Sequence, residues 1–225
     1  MGDTSTRNLP ILNELRSGIL RFEEAEASNR EEDPMIYIVR HGQTELNKRF
    51  ALQGRSNLPL NDQGRSEAQK VADIFAAEGI TINHVFSSPL ERAIDTARIM
   101  APDVPITTDD RLIEMDYGPY EGASLKEASP ELLYFFQDFV NHPAPEGMEQ
   151  LAEVVARTGE FIEGIKDLDG NTLISTHAIA MKGILEYLTP TSGGAYWSKN
   201  IGNCEVYATE CKNDKLLVPR PFIRL

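Results

Sequence analysis

Eight residues near the start, Arg40-His41-Gly42-Gln43-Thr44-Glu45-Leu46-Asn47, follow directly on an apolar run from Met35 to Val39. That run is β-branched and aromatic and reads as a buried strand. An arginine, a histidine and a glycine therefore emerge where a strand stops and the chain must turn. The open end of a strand in an α/β sheet is where ligands usually bind. These residue types suit transfer of a phosphoryl group to histidine. Imidazole is a neutral nucleophile near pH 7. Arg40 offers a fixed fork of donors to phosphate oxygens, and Gly42 is expected to let the backbone come close to the anion.

Strand and helix signals alternate from Met35 onward. A strand over 35–40 leads to the motif, and a helix is expected from Asp62, read as its cap, to Glu78. A second strand, Ile82 to Phe86, ends at Ser87-Ser88-Pro89. Ser88 is expected as N-cap and Pro89 as the first residue of a helix reaching Met100. Further helices are predicted over Pro130 to Asn141, Met148 to Lys166 and Ile179 to Leu188. A third core strand is predicted at Asn171 to Ser175, and more peripheral ones at Asn203 to Thr209 and Lys215 to Val218. The alternation implies an α/β fold, a mostly parallel central sheet with helices on both faces.

Four more clusters follow the first. They are Leu52-Gln53-Gly54-Arg55 with Pro59-Leu60 and Gly64; Ser87-Ser88-Pro89-Leu90-Glu91-Arg92-Ala93 with Thr96-Ala97; Leu112-Ile113-Glu114 with Gly118 and Glu121-Gly122; and Thr176-His177-Ala178. In this order, across residues 35 to 209, the five clusters resemble the motifs of the histidine phosphatase superfamily. That superfamily includes the cofactor-dependent phosphoglycerate mutases and many small phosphatases. The resemblance implies a phosphoglycerate mutase-like domain over residues 35–225.

It also implies roles. His41 is the nucleophile, Arg40 and Arg92 clamp the phosphate, and Asn47 donates an amide hydrogen bond. His177 holds the phosphoryl group and stabilises the charge that develops in transfer. Glu114 is the general acid and base, since one carboxyl group can protonate a leaving alkoxide and later take a proton from water. Glu121, the other carboxylate of that motif, supports its loop. Gln53 and Gly54 form either an edge of the pocket or a structural turn, and both readings stay open. Ala178 stands where the family usually has glycine. It keeps a backbone N–H for phosphate but brings a Cβ that forbids positive φ. Lys182 stands where relatives often carry arginine, as a structural residue. His84 and His142 have no such context and are expected to be structural or exposed.

A formal charge of −13 over 225 residues argues against nucleic acid and anionic membrane as partners. The partner expected instead is a small phosphorylated substrate. No apolar run is long enough to span a bilayer and no secretory leader is apparent, so a cytoplasmic enzyme is expected. Cys204 and Cys211 are read as reduced thiols. Neither HExxH, CxxC nor a glycine-rich phosphate loop occurs, so no metal or other cofactor is expected. Residues 1–34 form an extension: an amphipathic helix from Pro10 to Ala27, then a charged linker from Asn29 to Pro34. The extension is expected to dock on its own domain or on a twin subunit, as in a homodimer.

Met115 to Gln150, which lines the substrate mouth in the family, carries Lys126 as its one basic residue against seven acidic ones. It also holds Tyr117, Tyr120, Tyr134, Phe135, Phe136 and Phe139, most of them suited to packing between this segment and the core. A mutase must bind a second anionic group, so hydrolysis of a small phosphate ester is favoured. The alternatives are a phosphoglycerate-type mutase or sugar bisphosphatase, and a catalytically weak phosphate-binding signalling protein.

Overall fold

The computed structural model describes residues 34–225, so the helix expected over Pro10 to Ala27 lies outside the described residues. The first strand, β1 (Met35–Arg40), lies mid-sheet, and the short helix α1 (Glu45–Lys48) follows it in the chain. It pairs in parallel with β4 (Thr172–Thr176) and antiparallel with β5 (Val206–Lys212). Beyond β4 come β2 (His84–Ser87) and β3 (Ile106–Thr108), both parallel. On the other side, β6 (Lys215–Leu216) closes a hairpin on the end of β5, and β7 (Arg220–Ile223) runs antiparallel to it. The sheet is therefore mixed, with four parallel strands and an antiparallel margin.

Side-chain alternation along β1 explains why both faces must be covered. Tyr37 and Val39 point to one face, where they pack with Val71 and Phe75 of α2 (Asp62–Ala77) and Ala97 of α3 (Glu91–Met100). Ile36 and Ile38 point to the other, against Phe161 and Ile162 of α5 (Leu151–Ile165) and Met181 and Ile184 of α6 (Ala178–Leu188). A strand with period-two side chains and apolar residues at every position is stable only between two helical layers. Ile38 has no exposed surface, and truncating it to alanine would cost about 2–5 kcal/mol. A third cluster packs α4 (Pro130–Gln137), through Leu132 and Phe135, with Leu52, Met115, Ile179 and Trp197.

Helix starts differ from the sequence reading. The helix expected from Met148 begins at Leu151, and the one expected from Ile179 begins at Ala178. The caps of α2 and α3 are not the expected ones. The cap of α2 is Asn61, whose side chain accepts the Gly64 N–H at 2.9 Å, and Asp62 is the first helical residue. There its charge still favours the helix N-terminus. Helix α3 begins at Glu91, after the Ser88-Pro89 signal, with Leu90 as N-cap. The Glu91 N–H is satisfied from another loop, by Asn57 Oδ1 at 2.7 Å. The Ser88 hydroxyl instead lies 2.7 Å from His177 Nε2.

Strands β3 and β7 were not expected. The first is only three residues long and largely exposed. The second contains Pro221 and lies at the margin of the sheet, where a missing N–H costs no ladder bond. His84 Nε2 lies 2.8 Å from the Asp169 carbonyl, and the His142 ring stacks on Tyr134 at 3.4 Å between centroids. Both are structural. Among the described residues no helix is long and apolar enough to cross a membrane.

Chain connections make one end of the sheet special. From β1 the chain crosses past β4 to reach β2, whereas from β4 it passes through α6 and beyond β1 to reach β5. The connections leave these two adjacent parallel strands in opposite directions. Such a switch point opens a crevice at the strands' carboxyl ends. Arg40-His41 and Thr176-His177 occupy those ends.

Candidate active site

Strand register brings the two histidines together. Arg40 pairs with Thr176 in the β1–β4 ladder, and the His41 N–H donates to the Thr176 carbonyl at 2.9 Å. The next residue of each strand projects into the crevice, and the rings meet with centroids 5.1 Å apart at 61°. Both are buried.

Arg92 lies between them. Its Nε is 3.2 Å from His41 Nε2 and 3.2 Å from His177 Nδ1. Guanidinium nitrogen only donates, so both ring atoms must accept and carry no proton. The other nitrogens are then the protonated ones. His41 Nδ1–H donates to the Gly42 carbonyl at 2.7 Å, and His177 Nε2–H to Ser88 Oγ. Burial, joined by the charges of Arg92 and Arg40, holds the His41 imidazole well below its ordinary pKa. Burial and then Arg92 do the same to His177. Both rings are neutral at physiological pH, with His41 Nε2 available as a nucleophile.

The terminal nitrogens of Arg92 donate to the loop that precedes α2: Nη1 to the Ser56 carbonyl at 2.7 Å and Nη2 to Gly54 at 2.6 Å. The side chain is fully buried, and burial lowers its pKa to about 10. Of its donors, only Nε faces the histidines. Arg40 is bound differently. Its Nη1 donates to the Ile201 carbonyl at 2.6 Å, while its buried Nε has no hydrogen-bond partner. Gln53 is similar: Thr44 Oγ1 donates to its amide oxygen at 2.5 Å, and its buried Nε2 has no partner. Asn47 accepts on its oxygen from Thr44 N–H at 3.2 Å and from Asn203 Nδ2 at 3.4 Å.

Gly54 is part of a built turn. Glu121 accepts the N–H groups of Gly54, at 3.0 Å, and Ser56, at 3.2 Å. A Cβ at Gly54 would stand 2.6 Å from the Met115 carbonyl. Gly42 also has a use that the sequence did not suggest. A Cβ there would lie 2.3 Å from the Gly64 carbonyl, so the glycine is required for packing of the motif turn against α2. Its N–H donates to Thr96 Oγ1 at 3.0 Å.

Glu114 sits at the N-terminus of α6. Its carboxyl oxygens accept the N–H groups of Met115 at 2.8 Å, Ala180 at 3.1 Å and Ile179 at 3.2 Å. His177 is the N-cap of that helix, so the carboxylate and the second histidine are fixed by one element. Ala178 opens the helix without a positive φ, and alanine therefore replaces the family's glycine there without backbone strain.

Four supporting residues escaped the sequence reading. Ser88 meets His177, and Asn203 donates to the His41 carbonyl at 3.0 Å. Thr96 receives the Gly42 N–H. Arg157 donates to the carbonyls of Arg111 at 2.8 Å and Ile113 at 2.6 Å, steadying the turn that presents Glu114, while Glu149 holds its other face at 2.7 Å. Ser88 and Thr96 lay inside a recognised cluster. Asn203 and Arg157 gave no local signal.

The sequence pattern of the histidine phosphatase superfamily, branch 1, matches residues 36–221. The chain belongs to this superfamily. It is 30% identical over 187 residues to a Hydrogenobacter thermophilus protein named "Putative phosphoserine phosphatase 2", covering 80% of this chain and 91% of that one. It is 32% identical over 166 residues to the phosphoglycerate mutase-like protein 4 of Arabidopsis thaliana, covering 70% and 72%. Among solved structures, the Entamoeba histolytica phosphoserine phosphatase in complex with 3-phosphoglyceric acid superposes with a TM-score of 0.74 at 20% identity, over 85% of this chain and 98% of that one. Members of this superfamily act through a covalent phosphohistidine, and the likeness to the solved structure is one of fold.

Proposed function

We propose that the chain is a phosphomonoesterase that hydrolyses a small-molecule phosphate ester through His41. The observation that carries this reading is the tautomer lock. Nδ1–H is held by the Gly42 carbonyl and the Nε2 lone pair is aimed into the crevice beside Arg92 and His177.

In the first step His41 Nε2 bonds to phosphorus as the ester P–O bond breaks. Glu114 delivers a proton to the leaving oxygen. The phosphoryl oxygens are received by donors that have no other partner, Arg40 Nε and Gln53 Nε2, together with Arg92 Nε, the Asn47 amide and the Ala178 N–H. Donors fixed in a buried site stabilise developing charge without reorganising, which is commonly the largest contribution to such catalysis. His177 supports the same charge. In the second step Glu114 takes a proton from water, the water oxygen bonds to phosphorus, and the P–N bond breaks. Phosphate leaves and His41 regains its lone pair.

Hydrolysis is favoured over isomerisation by the segment from Met115 to Gln150. Phe135, Phe136 and Phe139 pack on one another with centroids 4.8–5.4 Å apart, so they fill the third cluster. The segment's single basic residue, Lys126, lies over the Phe50 ring at 4.8 Å. No ring of cations there would hold a second phosphate. Turnover of p-nitrophenyl phosphate without a bisphosphoglycerate primer supports the reading. Isomerisation of phosphoglycerate that depends on such a primer, with no net phosphate release, overturns it.

A further inference from the structure

A cavity of about 730 Å3 lies between the end of α4, helix α6 and the segment 192–200. Its wall is apolar where Phe136, Phe139 and Trp197 face it, and it contains Lys182. Glu186 of α6 keeps the wall in place by accepting from the Ser192 hydroxyl and from the Tyr196 N–H at 2.6 Å. Pockets of roughly 300–1,000 Å3 accept organic ligands of drug size.

Lys182 is the unusual feature. It is 8% exposed, donates to the Trp197 carbonyl at 2.8 Å and lies 5.4 Å over the Phe139 ring. An ammonium has three donors, and among the described residues this one has no carboxylate in ion-pair contact. Asp138 also lines the cavity, but its carboxylate is taken up by its own turn, accepting from the N–H of Val140 at 3.0 Å and the Asn141 amide at 2.6 Å. A buried cation without a counter-ion is costly. Burial lowers the Lys182 ammonium to about 8, which leaves it charged at neutral pH.

None of the crevice residues lines this cavity; the two are linked through Lys182 and Asn200. Lys182 stands on α6 five residues after the N-cap His177, and the charges of Glu114 and Arg40 act on its ammonium. Asn200 lines the cavity, and its neighbour Ile201 holds Arg40 Nη1. We propose that this cavity receives the organic body of the phosphate ester and that Lys182 pairs with a carboxylate on it. The leaving group is then an acid with an apolar body, larger than a three-carbon phosphoacid. This rests on the phosphatase reading above and names the substrate class of the same site.

The test uses three aryl phosphates, whose rings carry a para carboxylate directly, through one methylene or through two, each with its neutral amide counterpart. In the native protein at least one acid should exceed its amide in kcat/KM. In Lys182→Met that acid-to-amide ratio should fall about tenfold or more, and Lys182→Arg, which keeps the charge, should restore most of it. Circular dichroism and melting of both variants establish that they fold; a Lys182→Met variant that fails to fold leaves the test to the native acid-to-amide ratios and to Lys182→Arg. Equal rates on every acid and amide in the native protein overturn the inference. So does a Lys182→Met variant that slows acid and amide alike. Absence of turnover on all six esters and on p-nitrophenyl phosphate would instead defeat the phosphatase reading itself.

Discussion

Arg92 Nε lies 3.2 Å from His41 Nε2, and this contact decides which nitrogen of His41 is free of a proton. The same guanidinium reaches His177 and two carbonyls of the loop at residues 54–56, so one buried side chain of α3 ties the ends of β1 and β4 to that loop. Lysine at this position would keep the charge but could not make four directional contacts from one plane. Arg92→Lys should therefore lower kcat/KM on p-nitrophenyl phosphate by roughly 10²-fold or more. Activity within a factor of two of the native protein would show that the contact does not set the nucleophile.

The pH profile follows from the two buried histidines. Their folded pKa values are depressed by burial and by Arg92, well below the ordinary histidine value. Unfolded histidine protonates near pH 6.5, whereas the folded rings stay neutral to lower pH. The unfolded state thus binds more protons as pH falls below about 6.5, and stability must drop over that window. Thermal melts should move down between pH 6.5 and 5. Over the same range His41 remains a competent nucleophile, so kcat for p-nitrophenyl phosphate should persist until unfolding intervenes. A sharp loss of kcat at pH 6.5 with unchanged melting would contradict the neutral pair.

Glu114 is held by three N–H groups at the start of α6. Glu114→Gln should slow esters with alkyl leaving groups on the order of 10²-fold or more, and p-nitrophenyl phosphate far less, because its phenolate needs little protonation. An equal loss on both would assign Glu114 to structure.

Gly42 and Gly64 make a close backbone contact, with 2.3 Å available for a Cβ at Gly42. Gly42→Ala would have to push α2 away from the motif turn, an overpacking cost of about 1–3 kcal/mol. A domain of this size should then melt lower by roughly 2–4 °C per kcal/mol. An unchanged melting temperature would mean that the turn yields at no cost.

Much of the site was legible because its residues sit in short local patterns. The strand before Arg40, the helix after Ser88 and the strand before His177 each place one candidate site residue near an element end, and strand register does the rest. The cap of α3 was misread because local sequence cannot show that Asn57 supplies the missing acceptor or that His177 engages Ser88. Arg157 was invisible for the same reason: it acts on Arg111 and Ile113, over forty residues away in the chain. The sequence reads Gly42 as letting the backbone approach an anion; the Gly64 backbone beside it is a further constraint that local sequence does not show.

The most direct test of the central claim is to trap the reaction during turnover of an isotopically labelled phosphate ester and to locate the label. The account predicts an acid-labile, base-stable phosphoryl group on His41, formed by the native protein and lost in His41→Ala along with turnover. Normal turnover by His41→Ala, or a label found on another residue, would contradict it.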